Sequence, residues 1–447
     1  MLGVLAAAAR TNLIGSWDGK LRVTPAVALA LRINITGNPD FPTLTLDSPE
    51  QNAFGLPAKG EYVEGDSIAL SIAQIQMRYS GRLVGDSICG VFTQGDRSLP
   101  LNLRRADSSA SPQGGTPTRQ QTPAAPFPYS EEELKITNPE GGHQLGGTLT
   151  VPDKPAAGAP VVVLVSGSGL QNRDEELAGH RPFAVLADQL ARRGIAVCRY
   201  DDRSVGESGG SAETATTADF ASDARAVAEH MRADSRFGSV GIVGHSEGGQ
   251  IACMLGACGT ADFAVSIAGP AVRGDSLLAM QNRALMVGGG MPESLANDYT
   301  QGLLRLYSIL AEGNTDAAQA SAQAIAQWPM DVLHLSLGGN LRKVADAYLA
   351  QPWLQWFATH SPAPDIAAMR VPLLAIYGTK DVQVPAAENS AAVRRLNPRA
   401  DVRVFDGLNH LMQTASTGLP AEYATIEETL SPAVIDSIAA FILTNKK

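Results

Sequence analysis

Four cysteines in 447 residues, Cys89, Cys198, Cys253 and Cys258, are too few and too scattered for a disulfide framework, and no C-x-x-C spacing suggests a zinc site. They read as small core residues. The chain also lacks a basic cluster, and its formal net charge of −10 argues against a nucleic-acid or anionic-membrane partner, either of which needs a positive face. No later run stays apolar for the ~18 residues that a membrane span requires. Nothing implies a metal or an organic cofactor. What the chain does have is length enough for two or three domains and a 44% apolar fraction with which to build their cores.

The organisation follows from composition. Residues 1–10 are apolar and alanine-rich without a positive start, which suits either a signal-peptide remnant or a frayed N-terminus. Residues 11–106 alternate apolar and polar positions between Gly-Asp, Gly-Asn and Asp-Gly turns, as in Ser67-Ile68-Ala69-Leu70-Ser71-Ile72, and predict a small, mostly antiparallel β domain. Trp17-Asp18-Gly19 reads there as a turn. Residues 107–128, rich in Ser, Pro and Gly, read as a linker. From 129 to 447 strands and helices alternate, beginning with Leu145 to Val151 and Pro160 to Val165, which predicts an α/β domain with a mostly parallel sheet wrapped by helices. Between about 272 and 365 the alternation gives way to a helical stretch, a candidate lid over the strand ends where such sheets bind ligands. Trp328, Trp353, Trp356 and Phe357 in it, with Leu170 elsewhere, are candidates to line an apolar substrate pocket, or else to pack the lid.

Gly244-His245-Ser246-Glu247-Gly248 lies between the apolar run Val240 to Val243 and the helical run Gln250 to Leu255. A G-x-S-x-G turn between strand and helix holds its serine in a strained, exposed conformation, and its glycines remove side chains that would clash with the packing around it. Gly206-Glu207-Ser208-Gly209-Gly210 matches the same pattern but is followed by polar Ser211-Ala212-Glu213-Thr214, so Ser246 is the candidate nucleophile.

A serine needs a base, and the base an orienting acid. His410, in a loop after the last predicted strand, is the candidate base; His245 points away from its neighbour Ser246, and the other histidines precede the acid. Asp381, just after the predicted strand Val371 to Tyr377, is the candidate acid. The order Ser246, Asp381, His410 is the one expected of α/β hydrolases. For the oxyanion, one donor is the amide of Glu247, and the second comes from the loop Ser166-Gly167-Ser168-Gly169-Leu170, with Ser168 preferred to Leu170. That loop lacks the G-x-G-x-x-G spacing and the lysine of a phosphate cradle.

These segments, with Asn172-Arg173-Asp174, Gly179-His180-Arg181-Pro182-Phe183, Tyr200-Asp201-Asp202-Arg203 and Gly378-Thr379-Lys380-Asp381-Val382-Gln383-Val384-Pro385, resemble a bacterial branch of the α/β-hydrolase superfamily that holds carboxylesterases and serine-aminopeptidase-like or dipeptidyl-peptidase-like proteins. The resemblance covers about Pro128 to the C-terminus and implies the same triad. Ser204 departs from it, standing where glycine is expected. The β domain is similar to one that precedes such hydrolases in envelope or secreted bacterial proteins, which implies a periplasmic or secreted protein, with a cytoplasmic one as the alternative. The expected activity is hydrolysis of a small-molecule carboxylic ester through an acyl-enzyme. Peptide hydrolysis, and a non-catalytic binding protein on a hydrolase scaffold, are the alternatives. The oligomeric state and the acyl group stay open.

Overall fold

The computed structural model describes residues 13–22, 28–38, 41–48, 53–64, 66–72, 77–94, 97–106, 119–311 and 351–446. The signal-remnant candidate, residues 107–118 of the candidate linker, and Trp328 lie outside them. The described residues fall into two compact units, one holding those up to residue 106 and the other those from residue 119 onward.

In the first unit eight antiparallel strands, from β1 (Gly15–Arg22) to β8 (Arg97–Arg105), each pair with the next, and β8 returns to β1 through Trp17↔Arg105, Asp18↔Arg104 and Gly19↔Leu103. The sheet therefore closes into a barrel, which removes every edge. Alternation puts Ile68, Leu70 and Ile72 inside with Trp17, Ile33, Tyr79 and Leu101. Trp17-Asp18-Gly19 is strand rather than turn. The Trp17 indole is fully buried and donates to the Leu13 carbonyl at 2.8 Å, while Asp18 accepts from Arg32 across the strands at 2.6 and 2.8 Å. Gly19 is there for closeness: a Cβ on it would lie 2.7 Å from the Leu103 side chain.

The second unit holds one eight-stranded sheet, built from β9 (Tyr129–Asn138), β10 (His143–Pro152), β11 (Ala159–Val165), β12 (Ala196–Tyr200), β13 (Phe237–His245), β14 (Phe263–Ile267), β15 (Leu373–Gly378) and β16 (Asp401–Phe405). Their spatial order is β16-β15-β14-β13-β11-β12-β10-β9, antiparallel at β9 and β10 and parallel elsewhere. With the helices that separate its strands, this is the α/β-hydrolase architecture. All seven residues of β11 are buried, as a strand covered on both faces requires. Helices α1 (Pro182–Ala191), α2 (Thr217–Ala233) and α3 (Glu247–Ala257) precede an insertion between β14 and β15 that carries α4 (Gly274–Gly288), α5 (Glu293–Ala311), α6 (Pro352–Thr359) and α7 (Ala363–Ala368). Then α8 (Ala386–Leu396) and α9 (Pro432–Asn445) complete the domain. Leu186 and Leu190 of α1 and Ile438 and Ile442 of α9 share one core with Val162, Val265 and Ile376 of the sheet. Burying each such side chain contributes roughly 1.5–3 kcal/mol.

Two features depart from the sequence reading. Strand β9 carries Glu131-Glu132-Glu133, a run too acidic to read as a strand, but each carboxylate has an arginine: Arg199 at 2.7 Å, Arg236 at 2.6 Å and Arg173 at 2.7 Å. The α/β unit also starts before residue 129. Arg119 donates to the carbonyls of Ala178 at 3.0 Å, Ala424 at 2.9 Å and Ile426, and Gln121 exchanges bonds with Thr429 and Leu430 at 2.6 and 2.7 Å. The end of the expected linker is thus part of the hydrolase unit. No helix among the described residues is long and apolar enough to cross a membrane.

Candidate active site

Strand β13 ends at His245 and α3 begins at Glu247, so Ser246 alone makes the turn, at φ 52° and ψ −118°. A non-glycine residue with positive φ is strained, and here the fold over-determines it. The Ser246 amide donates to the Ile267 carbonyl at 2.8 Å. A Cβ on Gly244 would lie 1.9 Å from the Gly248 carbonyl oxygen, and one on Gly248 would lie 2.1 Å from that of Val165, so neither glycine can be replaced without moving backbone. Ser208 sits in a different setting. It is buried, its hydroxyl donates to the Asp201 carbonyl at 2.6 Å, and it accepts the Gly146 amide at 2.9 Å.

Asp381 follows β15 and His410 follows β16. The His410 Nδ1–H donates to Asp381 Oδ2 at 2.8 Å, and Asp381 Oδ1 accepts the amides of Gln383 and Val384 at 2.8 Å each. Both side chains are buried. Ser246 and His410 line a single cavity of about 180 Å³ together with Ser168. Leu277 and Leu278 from α4 and Trp353 and Phe357 from α6 form its apolar wall. Polar side chains, among them Gln171, Glu175, His245, Gln281 and Gln383, make up about half of the lining, and a cavity in which apolar walls meet convergent polar groups is a usual form of a ligand site.

The loop after β11 stands against Ser246, since a Cβ on Gly167 would lie 3.1 Å from the Ser246 Cβ. The Gly167 amide is committed to Glu175 Oε1 at 2.7 Å. Ser168 lines the cavity, and Glu247 is the first residue of α3, where a helix leaves its amides unbonded. Leu170 is 53% exposed and does not line the cavity; it projects from the loop instead. Trp356 does not line it either. Trp353 and Phe357, four apart, stack at 5.0 Å on the cavity face of α6, whereas Trp356 is rotated onto the neighbouring stripe and stacks on His360 at 4.0 Å.

Around these groups lie three buried carboxylates that sequence reasoning missed in this role. Asp202 accepts the Ser166 hydroxyl at 3.0 and 3.1 Å and the Gln171 amide at 2.9 Å, anchoring both ends of the loop. Its burial, reinforced by the nearby Glu247 and Glu175, pushes its carboxyl up to about 7. Glu247 is likewise raised by burial, against the indole N–H of Trp353, which donates to its Oε1 at 2.9 Å. Glu175 Oε1 also takes His245 Nδ1 at 2.8 Å. His245 is thus turned toward a carboxylate, and it lines the cavity. A signal for Glu175 and Asp202 was present, since both stand within or beside the quoted segments Asn172-Arg173-Asp174 and Tyr200-Asp201-Asp202-Arg203. What no pattern gave was the fold that faces them to one loop. Among the described residues, no group of three His, Cys, Asp or Glu is placed to hold a metal ion.

A family model described as serine aminopeptidase, S33, matches residues 180–414, a span that includes Ser246, Asp381 and His410. Esterase EstD of Thermotoga maritima is 27% identical over 357 residues, 79% of this chain and 78% of that protein. Among solved structures, the Pyrococcus furiosus esterase Pf2001 aligns with a TM-score of 0.43 and 15% identity over 71% of this chain and 92% of its own. Proline iminopeptidase from Mycobacterium smegmatis aligns with a TM-score of 0.43 and 14% identity over 70% of this chain and 99% of its own.

Proposed function

The chain belongs to the serine aminopeptidase S33 family, and from that premise we propose that it is a serine hydrolase cleaving small carboxylic esters through an acyl-enzyme, with Ser246, His410 and Asp381 as its triad. The observation that carries the reading is the buried 2.8 Å Asp381–His410 pair opening onto the same cavity as Ser246 at its positive-φ turn. His410 takes the Ser246 proton as the hydroxyl oxygen attacks the ester carbonyl, and Asp381 stabilises the imidazolium. The amides of Glu247 and Ser168 receive the oxyanion. Collapse expels the alcohol, protonated by His410, and water activated by the same histidine then releases the acid and frees the serine. The helices between β14 and β15 serve as the lid, and Leu277, Leu278, Trp353 and Phe357 receive the apolar part of the substrate.

The family description favours a second reading, peptide hydrolysis from a free amino terminus. Such a substrate brings an ammonium that needs a carboxylate to pair with, because an unpaired charge in a closed site is strongly unfavourable. Among the described residues lining the cavity the acidic one is Glu175, and it is already engaged by Gly167 and His245. Esters therefore fit better, in keeping with the name of the Thermotoga relative.

The test is direct. Short acyl aryl esters should turn over faster than matched aminoacyl or dipeptidyl anilides, and a fluorophosphonate should label the protein. Ser246→Ala should abolish both, while Ser208→Ala should keep turnover within about tenfold. Faster anilide turnover, lost when the substrate amine is acetylated, would establish the peptidase reading. Pure folded protein that takes no label would point to a binding protein on a hydrolase scaffold.

A further inference from the structure

A second buried carboxylate–imidazole pair adjoins Asp381 and His410. Glu175 Oε1 lies 2.8 Å from His245 Nδ1, and the same oxygen accepts the Gly167 amide at 2.7 Å. The other ring nitrogen, His245 Nε2, lies 3.0 Å from the backbone carbonyl of His410, and the two imidazole rings are 4.8 Å apart. Glu175 is 4% exposed and His245 8%. A short chain of bonds thus runs from the loop that carries Ser168, through a carboxylate and an imidazole, to the backbone of His410.

The proton count of this chain is constrained. Both nitrogens of His245 face oxygens, one of them a carbonyl that can only accept. Facing an ionised Glu175, a neutral imidazole has one N–H and would set the lone pair of its second nitrogen against an oxygen, whereas the imidazolium satisfies both contacts. Glu175 is the counter-charge, placed so that one of its oxygens takes two donors. Asp381, which pairs with His410, acts on His245 in the same sense as Glu175 does, while an imidazolium at His410, whose ring lies 4.8 Å away, would act against it. Burial works against charge on His245, but Glu175 and the His410 carbonyl outweigh it, and the net direction is up. Glu175 itself is held at φ 52°, a strained conformation for a non-glycine residue, in a segment pinned by the Arg173 amide and guanidinium on Asp201 at 2.8 Å.

We propose that Glu175 and the His245 imidazolium form a positioning pair that fixes the oxyanion-binding loop relative to His410. This rests on the reading of Ser246 and His410 given above. In an acyl-enzyme reaction an oxyanion forms and collapses twice while His410 twice takes and returns a proton, so the loop and the histidine must hold one spacing through four steps. Errors of about 1 Å in such spacing cost ~100-fold in rate. Both side chains line the cavity, and the pair acts on the reacting groups through Gly167 and through the His410 backbone.

Glu175→Gln keeps the shape and an acceptor oxygen but removes the charge, so that His245 must choose one of its two contacts. We expect kcat to fall ~10- to 100-fold with KM within about threefold, because a misaligned transition state leaves ground-state binding nearly intact. His245→Ala should show the same split. The double variant Glu175→Gln/His245→Ala should be no worse than about threefold below the weaker single variant, since the two act as one unit. Ring 15N NMR of the unmodified protein at neutral pH should show one histidine with both nitrogens protonated, absent in His245→Gln. A singly protonated His245, kcat of Glu175→Gln within twofold of the unmodified protein, or losses that multiply in the double variant would each overturn the proposal. The NMR signature is read without turnover. Failure of the hydrolase reading would appear instead as an inactive unmodified protein or an active Ser246→Ala.

Discussion

Asp381 holds His410 by one carboxylate oxygen, Oδ2 to Nδ1 at 2.8 Å, and keeps its other oxygen for two backbone amides of its own loop. The imidazole is therefore fixed in the tautomer that leaves Nε2 free to accept a proton. Asp381→Asn preserves the acceptor for the Gln383 and Val384 amides but presents an NH₂ to Nδ1, which turns the histidine into its wrong tautomer. The expected result is a fall in kcat of about 10³- to 10⁴-fold with the fold intact. Steady-state kinetics and a thermal melt on the same sample check it.

Asp202 gives a pH test with a definite sign. Its carboxyl ionises near 3.8 when unperturbed and near 7 in the fold, because it is buried. As pH rises through that window the unfolded chain releases the proton while the folded one retains it, so folding is progressively disfavoured, by an amount on the order of a few kcal/mol once pH exceeds both values. Asp202→Asn removes this term and keeps an acceptor for Ser166 and Gln171. The variant's stability relative to the unmodified protein should rise between pH 4 and pH 8 in chemical denaturation. A difference that stays flat across that range would show that Asp202 is ionised without cost.

Trp353 couples the cavity wall to Glu247. Trp353→Ala should open the cavity and raise kcat/KM for bulkier acyl groups relative to acetyl by about tenfold, the scale of one or two methylenes in an apolar pocket. Trp353→Phe should keep selectivity but leave Glu247 without the indole donor, a loss of about 1–3 kcal/mol. An ester series and melting curves separate the two effects.

Limited proteolysis should cut first within residues 107–118, where Ser, Pro and Gly leave little apolar material to protect the chain. Residues 119–128 should resist, because Arg119 and Gln121 bond to the hydrolase unit. Mass spectrometry of the earliest fragments reads the boundary, and early cleavage between Arg119 and Phe127 would contradict it.

The legible part of the fold was the part with local causes. The Val-rich run of β11 is apolar throughout because both its faces are covered, and the Ser246 turn announced itself through glycines whose backbone neighbours leave no room for a Cβ. Strand β9 was illegible because its pattern is set by arginines distant in sequence, and Trp17-Asp18-Gly19 misled because a close strand contact and a turn call for the same glycine. In the site, order along the chain pointed to Asp381 and His410, which lie 2.8 Å apart in the fold and of which His410 lines the cavity with Ser246. Glu175 was hidden by its dependence on three elements meeting, and Trp356 was overcounted because an aromatic cluster in sequence is two stripes on a helix.

The three glutamates of β9 have one more consequence. Among the described residues that strand is the last of its sheet, with β10 on one side and no described strand on the other, so a row of its N–H and C=O groups has no described strand partner. A flat apolar border there would be a template on which another molecule could add a strand, the first step of aggregation. Glu131, Glu132 and Glu133, each tied to an arginine of the same molecule, set a hydrated, charged margin along it. An incoming chain would have to strip that margin of water to pair, and the sheet is kept finite by the residues that made it hard to recognise.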